Sequence, residues 1–274
     1  MVEIAGFTAP RGARGLDAFA ANFQAGEDLG ARFTLVEAGE VVSDLWAGHA
    51  DRRLQTPFNE RHLTPVFSTT KALASLLMAR LVDQGKLYYD QPVAAVWPEF
   101  AQEGKGAITV EQMLSHQAGL SGFLDPMDPA QWFEWDEICV KLAAMRPIWP
   151  PGTASGYHPI TFGYLAGEVY RRVTGRAMGA AFREELAVPF GLDIWLGLPD
   201  SEFHRVAELQ KPPGLPDFGH LNDATRAAFL TPWATPGGRG AAELRRFDLP
   251  SATGHATAHA LAKVMGALAD GGRL

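Results

Sequence analysis

The pattern Ser68-Thr69-Thr70-Lys71 places a serine hydroxyl and a lysine amine three residues apart, at the start of a predicted helix. In an α-helix these positions share one face, so the Lys71 amine would come close to the Ser68 hydroxyl. Serine becomes a nucleophile when a base removes its proton, and lysine can be that base when burial lowers its pKa. The pattern thus indicates nucleophilic catalysis at Ser68, although a serine at this position, taken alone, is more often only a helix N-cap.

A phenol supplies a third candidate group. Tyr157 follows the turn Pro151-Gly152-Thr153 and precedes a second predicted helix. Its hydroxyl could accept the Ser68 proton and later return it to a leaving alcohol. The base is not assigned to Lys71 or Tyr157 alone, because closely coupled groups titrate as a unit. Taken by itself, a tyrosine at the beginning of a helix is more often a packing residue.

The elements around these residues follow from apolar spacing and turn residues. Three- and four-residue spacing predicts helices over 16–24, 69–84, 160–173 and 258–269. Two β-rich runs, 32–37 and 41–46, are separated by Ala38-Gly39-Glu40, which predicts a hairpin and hence an antiparallel sheet. Proline and glycine are frequent over 211–240, which predicts an extended surface loop.

Composition excludes several classes of protein. The chain has 274 residues, 47% of them hydrophobic, and a net charge of −7. It can therefore bury a large core, and it has no basic block suited to nucleic acid. The single cysteine, Cys139, excludes an intrachain disulfide. The first residues lack a secretory signal pattern and no later run is long and apolar enough to span a bilayer, so we expect a cytoplasmic protein without membrane contact.

Several motifs in this order resemble the group formed by class C β-lactamases, penicillin-binding proteins and family VIII carboxylesterases. They are Phe67-Ser68-Thr69-Thr70-Lys71-Ala72, Met113-Leu114-Ser115-His116-Gln117-Ala118-Gly119-Leu120, and Pro151-Gly152-Thr153 followed by Gly156-Tyr157-His158. The resemblance implies an α/β (α+β) fold, with an antiparallel sheet flanked by helices and an inserted, mostly helical subdomain. We expect residues 1–66 and 250–274 to form the α/β subdomain and residues 67–249 the helical one.

The resemblance also implies the reaction, acyl transfer through an acyl-enzyme on Ser68, with Lys71 and Tyr157 handling the proton. Lactamase-type members have Tyr-x-Asn where this chain has Tyr157-His158-Pro159. This difference favours a carboxylesterase acting on small esters, with short acyl chains as the first expectation. We assign substrate binding to Phe123, His158 and Trp233, since the loop aromatics of this family border the active site.

Two alternatives stay open. A β-lactamase or D-Ala-D-Ala peptidase would use the same three residues. A binding module with impaired catalysis is the other alternative, because the family's third motif, which completes the oxyanion hole, would follow the last predicted helix, and the sequence ends at Leu274. We expect no metal and no cofactor, since His255 and His259 lack a third ligand and the glutamate of a zinc-protease pattern. A homo-oligomer is left open.

Overall fold

The structure is a computed structural model that describes residues 2–210, 214, 219, 221–236 and 240–272. The strands are β1 (Ile4–Thr8), β2 (Gly30–Glu37), β3 (Glu40–Gly48), β4 (Thr64–Pro65), β5 (Ile194–Leu196) and β6 (Gly254–Ala256). The α-helices are α1 (Ala13–Ala25), α2 (Thr70–Asp83), α3 (Val110–Leu114), α4 (Trp135–Ala144), α5 (Thr161–Thr174), α6 (Met178–Phe182), α7 (Asp223–Thr225), α8 (Gly240–Arg246) and α9 (Ala258–Ala269). In the described part of the chain, no helix combines the length and apolar character needed to cross a bilayer.

Strands β1, β3 and β2 form one antiparallel sheet in that order. The hairpin between β2 and β3 turns at Ala38 and Gly39, which both have positive φ, as a two-residue turn between twisted strands requires. Phe19 of α1 packs on one face of this sheet against Leu45 and Phe33. Helix α9 covers β2. The hairpin and the antiparallel sheet predicted from the sequence are confirmed.

A buried ion pair ties α9 to this sheet. Arg32 of β2 donates two hydrogen bonds to the Asp44 carboxylate of β3, at 2.8 and 2.7 Å. His259 of α9 lies 2.9 Å from the same carboxylate. Burial would raise the pKa of Asp44, but the hydrogen bonds and charge of Arg32, together with hydrogen bonds from Thr34 and His259, lower it overall. This contact fixes the position from which the chain leaves β6 for α9.

Strands β4, β6 and β5 form a second small antiparallel sheet, which lies beside the large apolar core. Helices α2 and α5 pack in that core. Leu73, Leu77 and Met78 of α2 are buried there. A side chain at Gly163 of α5 would lie 2.6 Å from the Ser251 hydroxyl, so a glycine is needed for the 251–254 segment to approach α5. Thus α2, α5 and the segment before β6 meet at one place.

The α/β fold with antiparallel sheets and many helices is confirmed, and so are the predicted helices, with ends within a few residues. The expectation of an extended loop over 211–240 is wrong for part of its range, since α7 and the short helical turns Arg226–Leu230 and Pro232–Ala234 lie there; residues 211–213, 215–218, 220 and 237–239 lie outside the described part. The Asn222 side chain caps α7 by accepting the Thr225 N–H. The division at 66/67 and 249/250 stays a prediction; β5 lies inside the range assigned to the helical subdomain and pairs with β6.

Candidate active site

Ser68 lies in a single 3₁₀ turn, Phe67–Thr69, that leads into α2. The prediction that it could be an N-cap is wrong: Thr69 occupies the cap position of α2, and no side chain makes a capping hydrogen bond there. The Ser68 hydroxyl is therefore available to other groups. It faces two side chains, Lys71 and Tyr157.

The Lys71 ammonium group lies inside the protein, where it has three hydrogen-bond acceptors. Its Nζ is 3.2 Å from Ser68 Oγ, 2.7 Å from the Pro159 carbonyl oxygen and 3.0 Å from the Ser251 carbonyl oxygen. Only 8% of the residue is exposed. Burial lowers the pKa of Lys71 to about 7, because the charged form loses its hydration. Near neutral pH the amine can thus exist in either protonation state.

Tyr157 donates a hydrogen bond of 2.6 Å from its hydroxyl to Ser68 Oγ. The Lys71 Nζ lies 4.9 Å from the centre of the Tyr157 ring. The loop that carries this residue is held by the Gly156 N–H, which donates to the His116 carbonyl oxygen at 3.0 Å. A side chain at Gly156 would lie 2.6 Å from the Trp149 ring. The structure thus brings the three sequence-predicted groups Ser68, Lys71 and Tyr157 together.

Two neutral histidines lie behind Tyr157. Burial, with a smaller contribution from the Lys71 charge, lowers the pKa of His116 to about 4. Burial lowers the pKa of His158 to about 3. The His116 ring contacts the Tyr157 ring edge-to-face at 4.9 Å between centres, and its Nδ1 accepts the His158 N–H at 3.2 Å. At neutral pH, Lys71 is accordingly the group of this cluster that can carry a positive charge.

The structure does not bring the three predicted substrate-binding residues to the cleft surface. His158 has no exposed surface and uses its ring to accept the Leu120 N–H at 3.0 Å and to hydrogen-bond the Gly156 carbonyl. Phe123 and Trp233 are also buried and pack edge-to-face at 4.9 Å between ring centres. Both rings pack in the large apolar core, where buried aromatic side chains are usually found.

Other groups at the site were not predicted from the sequence. Phe229 stacks on the Tyr157 ring, with 6.3 Å between ring centres and 22° between planes. The carbonyl groups of Pro159 and Ser251 hold Lys71, as described above. Backbone carbonyls leave no signal in sequence. His116 was noted within its motif, but no role could be assigned to it without its position.

A cavity of about 560 Å³ borders Tyr157. Its lining includes Trp149 and Phe229 on the apolar side and Asn222 and Asp223 on the polar side. A second cavity of about 490 Å³ is lined in part by Phe67, the neighbour of Ser68, and is mostly apolar. Small molecules with an apolar part therefore have space beside Tyr157 and beside Phe67.

The described residues contain no group of three or more histidine, cysteine, aspartate or glutamate side chains that could hold a metal ion. His255 and His259, the two histidines spaced four residues apart, make separate contacts. His255 Nδ1 is hydrogen-bonded to the Thr253 carbonyl, and His259 faces Asp44.

Comparison with known proteins places these motifs in a wider group. A family model described as Beta-lactamase matches residues 17–274. The protein "Esterase/beta-lactamase LipL" of Mycobacterium tuberculosis (strain ATCC 25618 / H37Rv) is 36% identical, and the match covers 99% of this chain and 66% of LipL. The chain thus spans slightly less than two thirds of the length of that relative.

Solved structures agree in fold. A penicillin-binding protein homolog from Caulobacter crescentus is 61% identical with a TM-score of 0.97, and the match covers 99% of this chain and 73% of the other. A family VIII carboxylesterase is 42% identical with a TM-score of 0.89 and has the same two coverages.

Proposed function

The chain belongs to the beta-lactamase family, and on this premise we propose that it is a serine hydrolase that cleaves carboxylic esters through an acyl-enzyme on Ser68. The observation that supports this most is the pair of short distances to the serine oxygen: Ser68 Oγ lies 2.6 Å from the Tyr157 hydroxyl and 3.2 Å from Lys71 Nζ. Both partners are within the reach that proton transfer requires. LipL and the family VIII carboxylesterase carry esterase names.

The surroundings of Lys71 suit a proton acceptor. A neutral amine has two N–H groups and one lone pair. The two N–H groups can donate to the Pro159 and Ser251 carbonyl oxygens, which leaves the lone pair for the Ser68 hydroxyl. The lowered pKa of Lys71, about 7, makes this neutral form accessible near physiological pH.

In the proposed reaction, Ser68 Oγ forms a bond to the ester carbonyl carbon while its proton passes to the Lys71–Tyr157 pair. The tetrahedral intermediate collapses by breaking the bond to the alcohol oxygen, which takes up a proton from the pair, with the Tyr157 hydroxyl directed at the reacting oxygens. A water molecule then attacks the carbonyl carbon of the acyl-enzyme and gives a proton to the pair; the bond to Ser68 Oγ breaks, the pair returns this proton to Ser68 Oγ, and the acid is released. The partial positive charge at the N-terminus of α2 stabilises the negative charge of the intermediate.

The ester specificity is supported by Pro159. In lactamase-type members the corresponding asparagine helps to hold the amide side chain of the substrate; here that position is a proline, whose side chain has no hydrogen-bonding group. No side-chain group at position 159 can therefore bind an amide. A β-lactamase or peptidase activity is the second candidate, favoured by the high similarity to the penicillin-binding protein homolog.

The test compares turnover of p-nitrophenyl butyrate with turnover of nitrocefin, in the wild type and in Ser68→Ala. Ester turnover that exceeds nitrocefin turnover and is lost in Ser68→Ala supports the esterase. Faster nitrocefin turnover, lost in the same variant, supports the lactamase instead. A fluorophosphonate reagent adds a direct test: if the wild type is not labelled at Ser68, the chain is a binding module rather than a hydrolase.

A further inference from the structure

The residue before the proposed nucleophile has an unusual backbone conformation. Phe67 has φ +43°, in the left-handed region that residues with a Cβ rarely adopt. This conformation is unfavourable for a non-glycine residue, because its Cβ lies too close to the following carbonyl oxygen. Phe67 is 56% exposed, so burial of the side chain does not hold this conformation. Another contact must keep the turn in place.

Thr70 provides that contact. Its hydroxyl donates to the Phe67 carbonyl oxygen and accepts the Gly254 N–H of β6 at 3.0 Å. The residue is fully buried. The Val66 N–H, on the other side of the turn, donates to the Gly254 carbonyl oxygen at 2.9 Å. The turn that carries Ser68 is therefore bound to one residue of the small sheet at both of its ends.

There is no space for a side chain at Gly254. A Cβ at this position would lie 2.5 Å from Thr70 Oγ1. The same segment holds Lys71, since the Ser251 carbonyl oxygen accepts from its Nζ. Residues 251–254 thus provide a common support for the Ser68 hydroxyl and the Lys71 amine.

The Phe67 carbonyl group and the Ser68 N–H belong to the same peptide group, which is planar and trans. In such a group the C=O and N–H bonds point in opposite directions. By fixing the carbonyl oxygen, the Thr70 hydroxyl also fixes the direction of the Ser68 N–H. This N–H is the backbone donor expected to face the oxyanion when Ser68 attacks a carbonyl.

We propose that Thr70 is a positioning residue, which aims the Ser68 N–H at the oxyanion by holding the Phe67 carbonyl group against β6. This inference rests on the proposed serine hydrolase function. Without the Thr70 hydroxyl, the Phe67 carbonyl oxygen keeps the backbone N–H of Thr70 but loses its link to Gly254 of β6, so Phe67 can relax toward negative φ and turn the peptide group away. The loss should fall on the transition state, where the oxyanion exists, rather than on substrate binding.

Thr70→Val tests this, because valine keeps the shape of threonine and lacks the hydroxyl. We expect kcat for p-nitrophenyl butyrate to fall by about 10²-fold, comparable with the loss of one oxyanion donor, with KM changed by less than about threefold. Thr70→Ser, which restores the hydroxyl, should recover most of the rate. The affinity for butylboronic acid, an analogue of the tetrahedral intermediate, should fall in parallel with kcat.

The matched control is Thr174→Val in α5, which removes a hydroxyl that donates to the Tyr170 carbonyl oxygen at 2.8 Å. A kcat in Thr70→Val equal to that of Thr174→Val, or a loss in KM alone, would overturn the role of Thr70. If Thr70→Val does not fold, Thr70→Cys replaces it, and a cysteine variant as fast as the serine variant counts against the proposal. A wild type without esterase activity or fluorophosphonate labelling refutes the proposed function instead, which separates the two failures.

Discussion

Replacing Lys71 by methionine should change how the stability of the protein depends on pH. Methionine has nearly the same length and no charge, so it removes the cost of burying an ammonium ion. It also removes three hydrogen bonds, two of them to the Pro159 and Ser251 carbonyl groups. That loss lowers stability at every pH. The difference in free energy of unfolding between variant and wild type therefore depends on pH only through the charge of Lys71.

The sign follows from proton binding. Burial lowers the pKa of Lys71 from 10.5 to about 7, so between these values the unfolded chain binds more protons than the folded protein. Wild-type stability must then rise with pH in this window. One pKa unit corresponds to about 1.4 kcal/mol, which gives a cost of about 4 kcal/mol at pH 7 and about 2 kcal/mol at pH 9. Wild type should thus gain about 2 kcal/mol relative to Lys71→Met over these two pH units.

Urea unfolding of both proteins at pH 7, 8 and 9 measures this difference. Lys141→Met, a substitution of the same kind at an exposed position of α4, is the control and should show no such trend. If the free energies of unfolding of wild type and Lys71→Met change in parallel with pH, the amine is not destabilised by burial. The argument for a neutral Lys71 near pH 7 would then fail.

Three further changes test other parts of the structure. Below pH 7 the kcat/KM for p-nitrophenyl butyrate should rise about tenfold per pH unit and then level off as Lys71 loses its proton; a flat profile from pH 5.5 to 8.5 contradicts this. Burial raises the pKa of Asp248 to about 6, so the folded protein loses stability as pH rises from 4 through 6. Asp248→Asn should therefore be more stable than wild type by up to about 3 kcal/mol at pH 7. If thermal unfolding shows an equal gain in stability at pH 4, burial of a charged carboxylate is not the reason for it. In Gly122→Ala the new Cβ would lie 2.1 Å from the Ala227 carbonyl oxygen, which displaces the Arg226–Leu230 turn. We expect the free energy of unfolding to fall by about 1–3 kcal/mol and kcat to fall as well, since this turn carries Phe229, whose ring stacks on Tyr157. An unchanged Tm and kcat would show that Gly122 does not fix the position of the turn.

Local patterns in the sequence were sufficient for much of the fold. The spacing of Leu73, Leu76, Leu77 and Leu81 predicts α2, because these positions share one face of a helix and that face is mostly buried. Gly39 predicts the hairpin turn because it has the positive φ that the turn requires. Reliance on local pattern also explains why the short helical turns at residues 223–234 were not predicted. Many glycines and prolines lie nearby in the sequence, and the turns contact Ser121 and Gly122, which are distant along the chain.

Residue type was also a poor guide to burial. Phe123, Trp233 and His158 lie in loops that the resemblance places near the site, yet each is buried. An aromatic ring can bury its apolar surface in a core as well as in the wall of a cleft, and the sequence does not tell which side of a loop faces the solvent. The burial of these rings is a property of the assembled structure.

By itself the sequence determined which groups could react and where helices would carry them, since Ser68 and Lys71 are neighbours on one helical turn. Only the tertiary structure decided whether they form a site. The carbonyl groups that hold the Lys71 amine come from Pro159 and Ser251, which are 88 and 180 positions away along the chain. The pKa of that amine depends on the burial that these distant segments produce together, because desolvation is a property of the surrounding atoms rather than of the residue.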